Sequence, residues 1–243
     1  SPLQNATVNI TGIPDNYVGN VSVVVDNVTV YDGPVNSTID IGKLGVGNKT
    51  ANVTFYGDEN YNDKTVEVDF TVTKVDLDVN VTAGNVSPLQ NATVNITGIP
   101  DNYVGNVSVV VDNVTVYNGP VNSTIDIGKL GVGNKTANVT FYGDENYENK
   151  TVNVGFSVIS TISAKDMKRG WASPYDYMAT FLDENLTALK NANVTFIVGG
   201  KNYTAKTNDA GVAQLMNAKL DVGEYNITSI NPVTGESVVN NAL

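Results

Sequence analysis

The 243-residue sequence contains no cysteine and no histidine. These two absences exclude a Ser-His-Asp triad, a thiol nucleophile, a zinc finger, an iron–sulfur cluster, and haem held by histidine or thiolate. Without cysteine there are no disulfides either, so packing, hydrogen bonds or an unusual covalent cross-link must hold the fold together. Nothing in the sequence points to a cofactor, and we expect none.

Positive charge is also scarce, because 14 Lys and Arg face 25 Asp and Glu, for a formal net charge of −11. Phosphate binding needs clustered Lys and Arg, so this balance argues against a nucleic-acid partner and against an anionic membrane surface. No stretch approaches the roughly 18 apolar residues of a spanning helix, and no basic-then-apolar signal opens the chain. We expect no membrane contact in this fragment, and any secretion signal or anchor would lie outside it.

Asparagine is in excess, with 34 residues, of which 21 begin the motif Asn-x-Ser/Thr. The motif spans positions i and i+2, which is the strand period, so Asn and the hydroxyl residue share one face of a strand. This pattern favours an extracellular surface that accepts N-linked glycans. The alternative is that Asn and Thr simply supply an uncharged polar face. The candidate acceptors are Asn9, Asn52, Asn95, Asn138, Asn193, Asn202 and Asn226.

An internal repeat determines the predicted organisation. The sequence that begins at Ser1 begins again at Ser87, and only seven of 73 positions differ between 1–73 and 87–159. Such near-identity indicates recent duplication, as in an array of modules. Apolar residues alternate with polar ones along each copy, turn residues such as Asp26-Asn27 separate the runs, and we find no helical period. The sequence therefore predicts an all-β fold of tandem Ig-like β-sandwiches.

The predicted module boundaries follow from the repeat. Residues 74–86 alternate apolar and polar side chains and predict an opening strand for the second module. The chain starts at the counterpart of Ser87, so we expect the first module to lack this strand, to expose an edge and to be part of a longer array. From Thr161 the strand period continues with an unrelated sequence. We predict Ig-like repeats at 1–73 and 74–160 and a divergent Ig-like domain at 161–243.

The first two modules resemble the group-3 bacterial Ig-like repeat, most recognisably in FYGDENY at 55–61 and 141–147. The third looks like an Ig-like or carboxypeptidase-regulatory type sandwich, through FLDENLTALKNANVTF at 181–196 and LDVGEYNIT at 220–228. In style the chain is similar to the adhesin-like surface proteins of methanogenic archaea. The resemblance implies a cell-surface location and a stalk or adhesin segment that contributes to cell adhesion. It brings no catalytic residues, so we expect no enzyme activity.

A binding role is the alternative function. In it the divergent third module contacts surface glycans or another cell's envelope, while the repeats only project it. Trp171, Tyr175 and Tyr177 form a local aromatic cluster that could stack on sugar rings, although aromatic residues of sandwiches are more often core or corner residues. A stalk that acts only as a spacer needs no direct partner. In either case we expect a monomer.

Acidic turns are a candidate calcium site. Asp58-Glu59-Asn60 with Asn62-Asp63, and Asp144-Glu145-Asn146 in the second copy, offer oxygen ligands. The ligand count is low and the spacing is not that of an EF-hand loop. We favour a solvated turn at both places.

A covalent cross-link is a further candidate, since the chain has no disulfides and a stalk bears shear. Lys165 or Lys168 could join Asn231 or Asn226 in an isopeptide bond promoted by a buried acid, Asp183 or Glu184. The alternative, which the sequence favours, is that these lysines are ordinary exposed charges.

Overall fold

A computed structural model describes residues 1–167, 177–216 and 223–242. Every helix or strand assigned within these ranges is a β-strand, and the strands form antiparallel sheets. The predicted all-β fold of tandem β-sandwiches is confirmed.

The first repeat holds six strands in two sheets. β2 lies between β3 and β5, with β6 beyond β5, while β1 pairs with β4. The strands are β1 Asn5–Asn9, β2 Asn20–Val25, β3 Val28–Pro34, β4 Thr38–Lys43, β5 Gly47–Phe55 and β6 Lys64–Val72. Val21, Val23 and Val53 project into the core, where each is at most 2% exposed. The turn between β2 and β3 is the predicted hairpin, because Asp26 and Asn27 have φ of 51° and 64° and Val25 pairs with Val28.

The second repeat has the same four-stranded sheet, and its other sheet has three strands in the order β11-β8-β7. The strands are β7 Asn80–Ala83, β8 Ala92–Thr97, β9 Asn106–Val111, β10 Val114–Pro120, β11 Thr124–Gly128, β12 Gly133–Phe141 and β13 Lys150–Val158. The opening strand β7 is shorter than the predicted run over 74–86. The segment changes partners along its length, since Val75 and Val86 form isolated parallel bridges to Tyr147 and Val158 on either side of β7.

The divergent C-terminal region forms a three-stranded sheet, β14-β15-β18, and a four-stranded sheet, β17-β16-β19-β20. Its strands are β14 Ile162–Ala164, β15 Tyr177–Phe181, β16 Asn193–Val198, β17 Lys201–Lys206, β18 Val212–Leu215, β19 Tyr225–Ile230 and β20 Ser237–Ala242. β15 and β16 supply the core of this region, because Phe181 and Phe196 are fully buried and meet edge-to-face with centroids 6.0 Å apart.

The chain divides into two compact units. One comprises Ser1–Val79, Gly98–Val107 and Thr140–Thr151, and the other comprises Asn80–Thr97, Ser108–Val139 and Val152–Leu243. Parts of the second repeat therefore belong to each unit. The module boundaries after residues 73 and 160 stay predictions.

Candidate functional site

The candidate glycan acceptors lie on strand faces with the predicted alternation. Asn52 is half-buried and the other six are exposed. The middle residue of the motif points inward in most of them: Val53, Ile96, Val139, Val194 and Ile227 are each at most 2% exposed. The strand period therefore presents the asparagines outward while the residue between contributes to the core. Whether the sites carry sugar stays a prediction.

The hydrogen bonds of the asparagine side chains differ between neighbouring motifs. Asn9 and Asn95 accept a bond from a threonine hydroxyl through Oδ1, from Thr38 at 3.2 Å and Thr124 at 3.0 Å. In contrast, Asn5 uses its amide nitrogen, donating from Nδ2 to Asp40 at 2.8 Å. A glycan attaches to this nitrogen, so the Asn9 and Asn95 side chains are better placed to accept one.

The acidic turns of the two repeats organise a loop. Asp58 accepts backbone hydrogen bonds from Val18, Asn60 and Tyr61 at 2.7–3.0 Å, and these bonds lower the pKa of its carboxyl group. Asp144 repeats the same three bonds at 2.8–2.9 Å. Both carboxylates are thus occupied by N–H donors. Within the described ranges, no group of three or more acidic side chains is placed to hold a metal ion.

A tyrosine next to this loop connects it to the sheet by hydrogen bonds. The Tyr17 hydroxyl donates to the carbonyl oxygen of Tyr56 at 2.7 Å and lies 3.0 Å from that of Asn20. A Cβ on Gly19 would collide with the Tyr17 hydroxyl and the Tyr56 carbonyl, so this close approach requires glycine. Tyr103 makes the matching bond to Tyr142 at 2.6 Å. Sequence reasoning missed this corner, although both copies carry the signal NYVGN.

An open groove lies along the edge of the first repeat. It has a volume of about 470 Å³, and its walls come from β1, β5, β6 and the loops beside them. Its lining side chains include Val8, Ile10, Tyr17, Phe55, Tyr61, Val66 and Val68. Val66 and Val68 are 38% and 45% exposed. The groove is therefore a partly exposed apolar surface.

In the second repeat the counterpart aromatic side chains are buried. Phe141 is fully buried and Tyr147 is 4% exposed, whereas Phe55 and Tyr61 are only half-buried. The segment that opens the second repeat makes the difference. The Val75 amide donates to Asn146 O at 2.8 Å, and the Val86 amide donates to Ser157 O at 3.1 Å.

The start of the C-terminal region carries a buried polar cluster that sequence reasoning missed. The Glu236 carboxylate is 8% exposed and accepts bonds from the Thr161 amide and hydroxyl, both at 2.6 Å, and from the Ser160 hydroxyl at 2.7 Å. Fully buried Asn231 donates from Nδ2 to Leu182 O at 2.7 Å and to the Thr161 hydroxyl at 3.1 Å. The cluster connects the backbone at Thr161 by hydrogen bonds to the β19–β20 turn, 75 residues away in sequence.

The cross-link candidates do not converge on one contact. Asn231 is buried as the chemistry requires, but its amide nitrogen bonds Thr161 and Leu182, while Lys165 is exposed. The proposed acid Asp183 organises its own turn by accepting bonds from Thr187, which lower the pKa of its carboxyl group. The cross-link stays an untested prediction. The alternative lysine, Lys168, lies outside the described residues.

Of the three aromatic candidates, Trp171 and Tyr175 also lie outside the described residues. Tyr177 is 2% exposed, donates to Asn240 Oδ1 at 2.9 Å and packs edge-to-face on Phe196. Its ring belongs to the core, in agreement with the core or corner role of such aromatic residues and not with sugar stacking. Burial raises the pKa of its hydroxyl.

Comparison with known proteins finds no protein family and no curated protein that matches this sequence. Solved structures with low similarity include fibronectin(III)-like modules of Clostridium thermocellum CbhA (15% identity, 65% of this chain and 86% of that chain, TM-score 0.30). A 1.5-MDa bacterial ice-binding adhesin has 16% identity over 93% of this chain and 84% of that chain, with TM-score 0.33. The SGBP-B protein of a Bacteroides ovatus mixed-linkage glucan utilization locus, in complex with a heptasaccharide, has 15% identity over 100% of this chain and 64% of that chain, with TM-score 0.27. Separately, the described part of the chain contains no helix long and apolar enough to cross a membrane.

Proposed function

We propose that this chain is a non-catalytic segment of an extracellular, adhesin-like cell-surface protein, in which sandwich modules act as spacers. The observation that carries the proposal is the near-identical duplication of a β-sandwich whose outer strand faces present Asn-x-Ser/Thr motifs. Repeating a module adds reach without new chemistry, and its exposed asparagines suit an extracellular setting. The archaeal origin and the group-3 type of the repeat belong to this proposal.

The polar groups of the repeats support a structural role. The carboxylates of Asp58 and Asp144 bind backbone amides of their own loops, and the tyrosine corners bind backbone carbonyls. Each group is engaged in holding a loop. A catalytic site would need titratable groups converging on a substrate-sized space.

Intact mass and glycopeptide mapping of the protein from its native host test this proposal. We expect sugar on the exposed strand-face asparagines, first of all Asn9 and Asn95, and accessibility of the chain to protease on intact cells. A single species at the bare polypeptide mass would contradict the glycan part. The same spectrum reports the cross-link, because an isopeptide bond releases ammonia. Turnover of a polysaccharide by the full chain would contradict the non-catalytic assignment.

A further inference from the structure

The groove of the first repeat has a filled counterpart in the second repeat. All its lining residues recur identically 86 positions later, except that Glu148 replaces Asn62. In the second copy the space is closed by the segment that precedes the repeat, whose Leu77, Val79 and Val81 are 1%, 9% and 7% exposed. The molecule thus contains one open and one occupied version of the same groove.

The occupied version shows which bonds hold the segment. β7 pairs antiparallel with β8, so that Val81 lies opposite Ile96 and Ala83 opposite Val94. At one end, Val75 N donates to Asn146 O at 2.8 Å and Val75 O accepts from Glu148 N at 3.0 Å. At the other end, Ile159 N donates to Val86 O at 2.8 Å. The segment is therefore bound through its backbone as well as through its buried apolar side chains.

The open version keeps the matching features. Among the described strands β1 pairs only with β4, which leaves its second edge available to a strand. A Cβ on Gly98 would lie 2.7 Å from Asp78 O of the inserted segment, whereas the same position on Gly12 meets nothing within 4 Å. The first repeat has kept the glycine and has open space where the segment would pass.

We propose that this groove is a strand-accepting site, and that its occupant is an extended peptide of the Val75–Val86 pattern. A free strand edge calls for backbone donors and acceptors, which a peptide supplies and a compact small molecule does not. The donor places apolar side chains at the positions of Leu77, Val79 and Val81. Lys64 is the one charged residue among the described groove lining and complements the acidic residues of the pattern, Asp76 and Asp78.

The second repeat also sets the register of the proposed complex. The donor residue equivalent to Val81 lies opposite Ile10, and the one equivalent to Ala83 lies opposite Val8. The amides equivalent to Val75 and Val86 donate to the carbonyl oxygens of Asn60 and Thr71. In the second repeat the equivalent valines, Val152 and Val154, are half-buried. Binding in this register therefore reduces the exposure of Val66 and Val68, the most exposed valines of the groove.

The test uses the full chain and a fluorescent synthetic peptide with the sequence of Lys74–Val86, followed by anisotropy. We expect saturable binding with one peptide per chain, and none of a scrambled peptide of the same composition. Val68→Lys should weaken binding by about tenfold or more, because a charge replaces an apolar contact in the groove. Val68 is 45% exposed in the free chain, so this substitution leaves the fold intact.

Val28→Lys is the matched control, since Val28 is an exposed valine of the same repeat outside the groove lining. It should leave binding unchanged. Absence of binding up to the solubility limit of the peptide would overturn the proposal. Binding that is insensitive to Val68→Lys would also overturn it, because the peptide would then occupy another surface, such as the second repeat after strand exchange.

Discussion

The first and second repeats differ at seven of 73 positions, yet they bury the same side chains to different extents. Phe141 is fully buried and Val94 is 0% exposed, whereas Phe55 and Val8 are half-buried. Three of the seven differences lie on the strand pair β6 and β13, one lies on the pair β3 and β10, and three lie outside the strands, so they do not account for the aromatic burial. The difference comes from residues 74–86, which cover the second repeat. Burial in this fold therefore depends on the strand that a module receives as well as on its own sequence.

Truncating the equivalent phenylalanines should give the largest difference between the repeats. Phe141→Ala should destabilise the second repeat by about 3–5 kcal/mol, because it removes a fully buried ring and leaves a cavity. Phe55→Ala should cost the first repeat about half as much, since part of that ring already contacts solvent. The chain has no native thiol, so a single cysteine replacing Val23 or Val109, each fully buried, reports the opening of one repeat through its labelling rate. Equal losses of stability from the two substitutions would contradict the claim that the second repeat is the more deeply buried one.

Leu77→Asp should remove the difference in stability between the two repeats. Leu77 is 1% exposed, and a carboxylate there should detach the opening segment at a cost of about 3 kcal/mol to the second repeat. The cysteine at position 109 should then label nearly as fast as the one at position 23. Val239→Asp, at a valine 59% exposed, is the control and should change neither rate.

Tyr103→Phe should destabilise the second repeat more than Tyr17→Phe destabilises the first. The difference should be smaller than the one between the two phenylalanine variants. Each substitution removes a hydroxyl that bonds a backbone carbonyl, a loss of about 1 kcal/mol. Tyr103 is 6% exposed while Tyr17 is half-buried, so the carbonyl left behind in the second repeat finds water less easily. Thiol labelling at the same two positions measures both costs.

The same tyrosines predict a loss of stability in alkali. Burial, and then the charges of Asp58 and Asp63, raise the pKa of Tyr17, and burial with Asp144 raises the pKa of Tyr103. The folded state thus holds these protons more tightly than the unfolded state does. Their contribution is fully present below about pH 10 and is lost as the pH rises through the folded-state values. Thermal unfolding followed by circular dichroism should show a smaller alkaline loss in the Tyr17→Phe, Tyr103→Phe double variant.

Asp63→Asn should have the smallest effect, below about 0.5 kcal/mol. The second repeat already carries Asn149 at this position, and both side-chain oxygens accept a bond from the preceding glycine amide, Gly57 or Gly143, at 2.6 Å. A shift in melting temperature comparable to that of the tyrosine substitutions would show that the charge matters in the first repeat.

Local periodicity made much of this fold predictable. The alternation of Val53 with Asn52 and Thr54 indicates a strand and its buried face, and Asp26-Asn27 indicates the hairpin, because both signals act over a few residues. The partners of Glu236 and Asp58 could not be predicted in this way. The first bonds Thr161 across 75 residues and the second bonds Val18 across 40, and no local pattern encodes such pairs.

Residues 74–86 show both a feature that the local pattern predicts and a feature that it does not. Their alternation correctly indicates an extended segment, but their pairing is divided between β8 in the middle and parallel bridges at the ends. The length of β7 is therefore set by which strand edge each residue meets.

Hydrogen exchange tests the central claim most directly, because the repeats share peptides of identical sequence. The peptide ATVNIT occurs at Ala6–Thr11 and at Ala92–Thr97, so one mass envelope reports both copies. We predict that this envelope divides into two populations of equal intensity, a fast one from the first repeat and a slow one from the second, and that Leu77→Asp merges them at the fast position. A single envelope in the unmodified chain would contradict the claim that the received strand determines how far each repeat is buried.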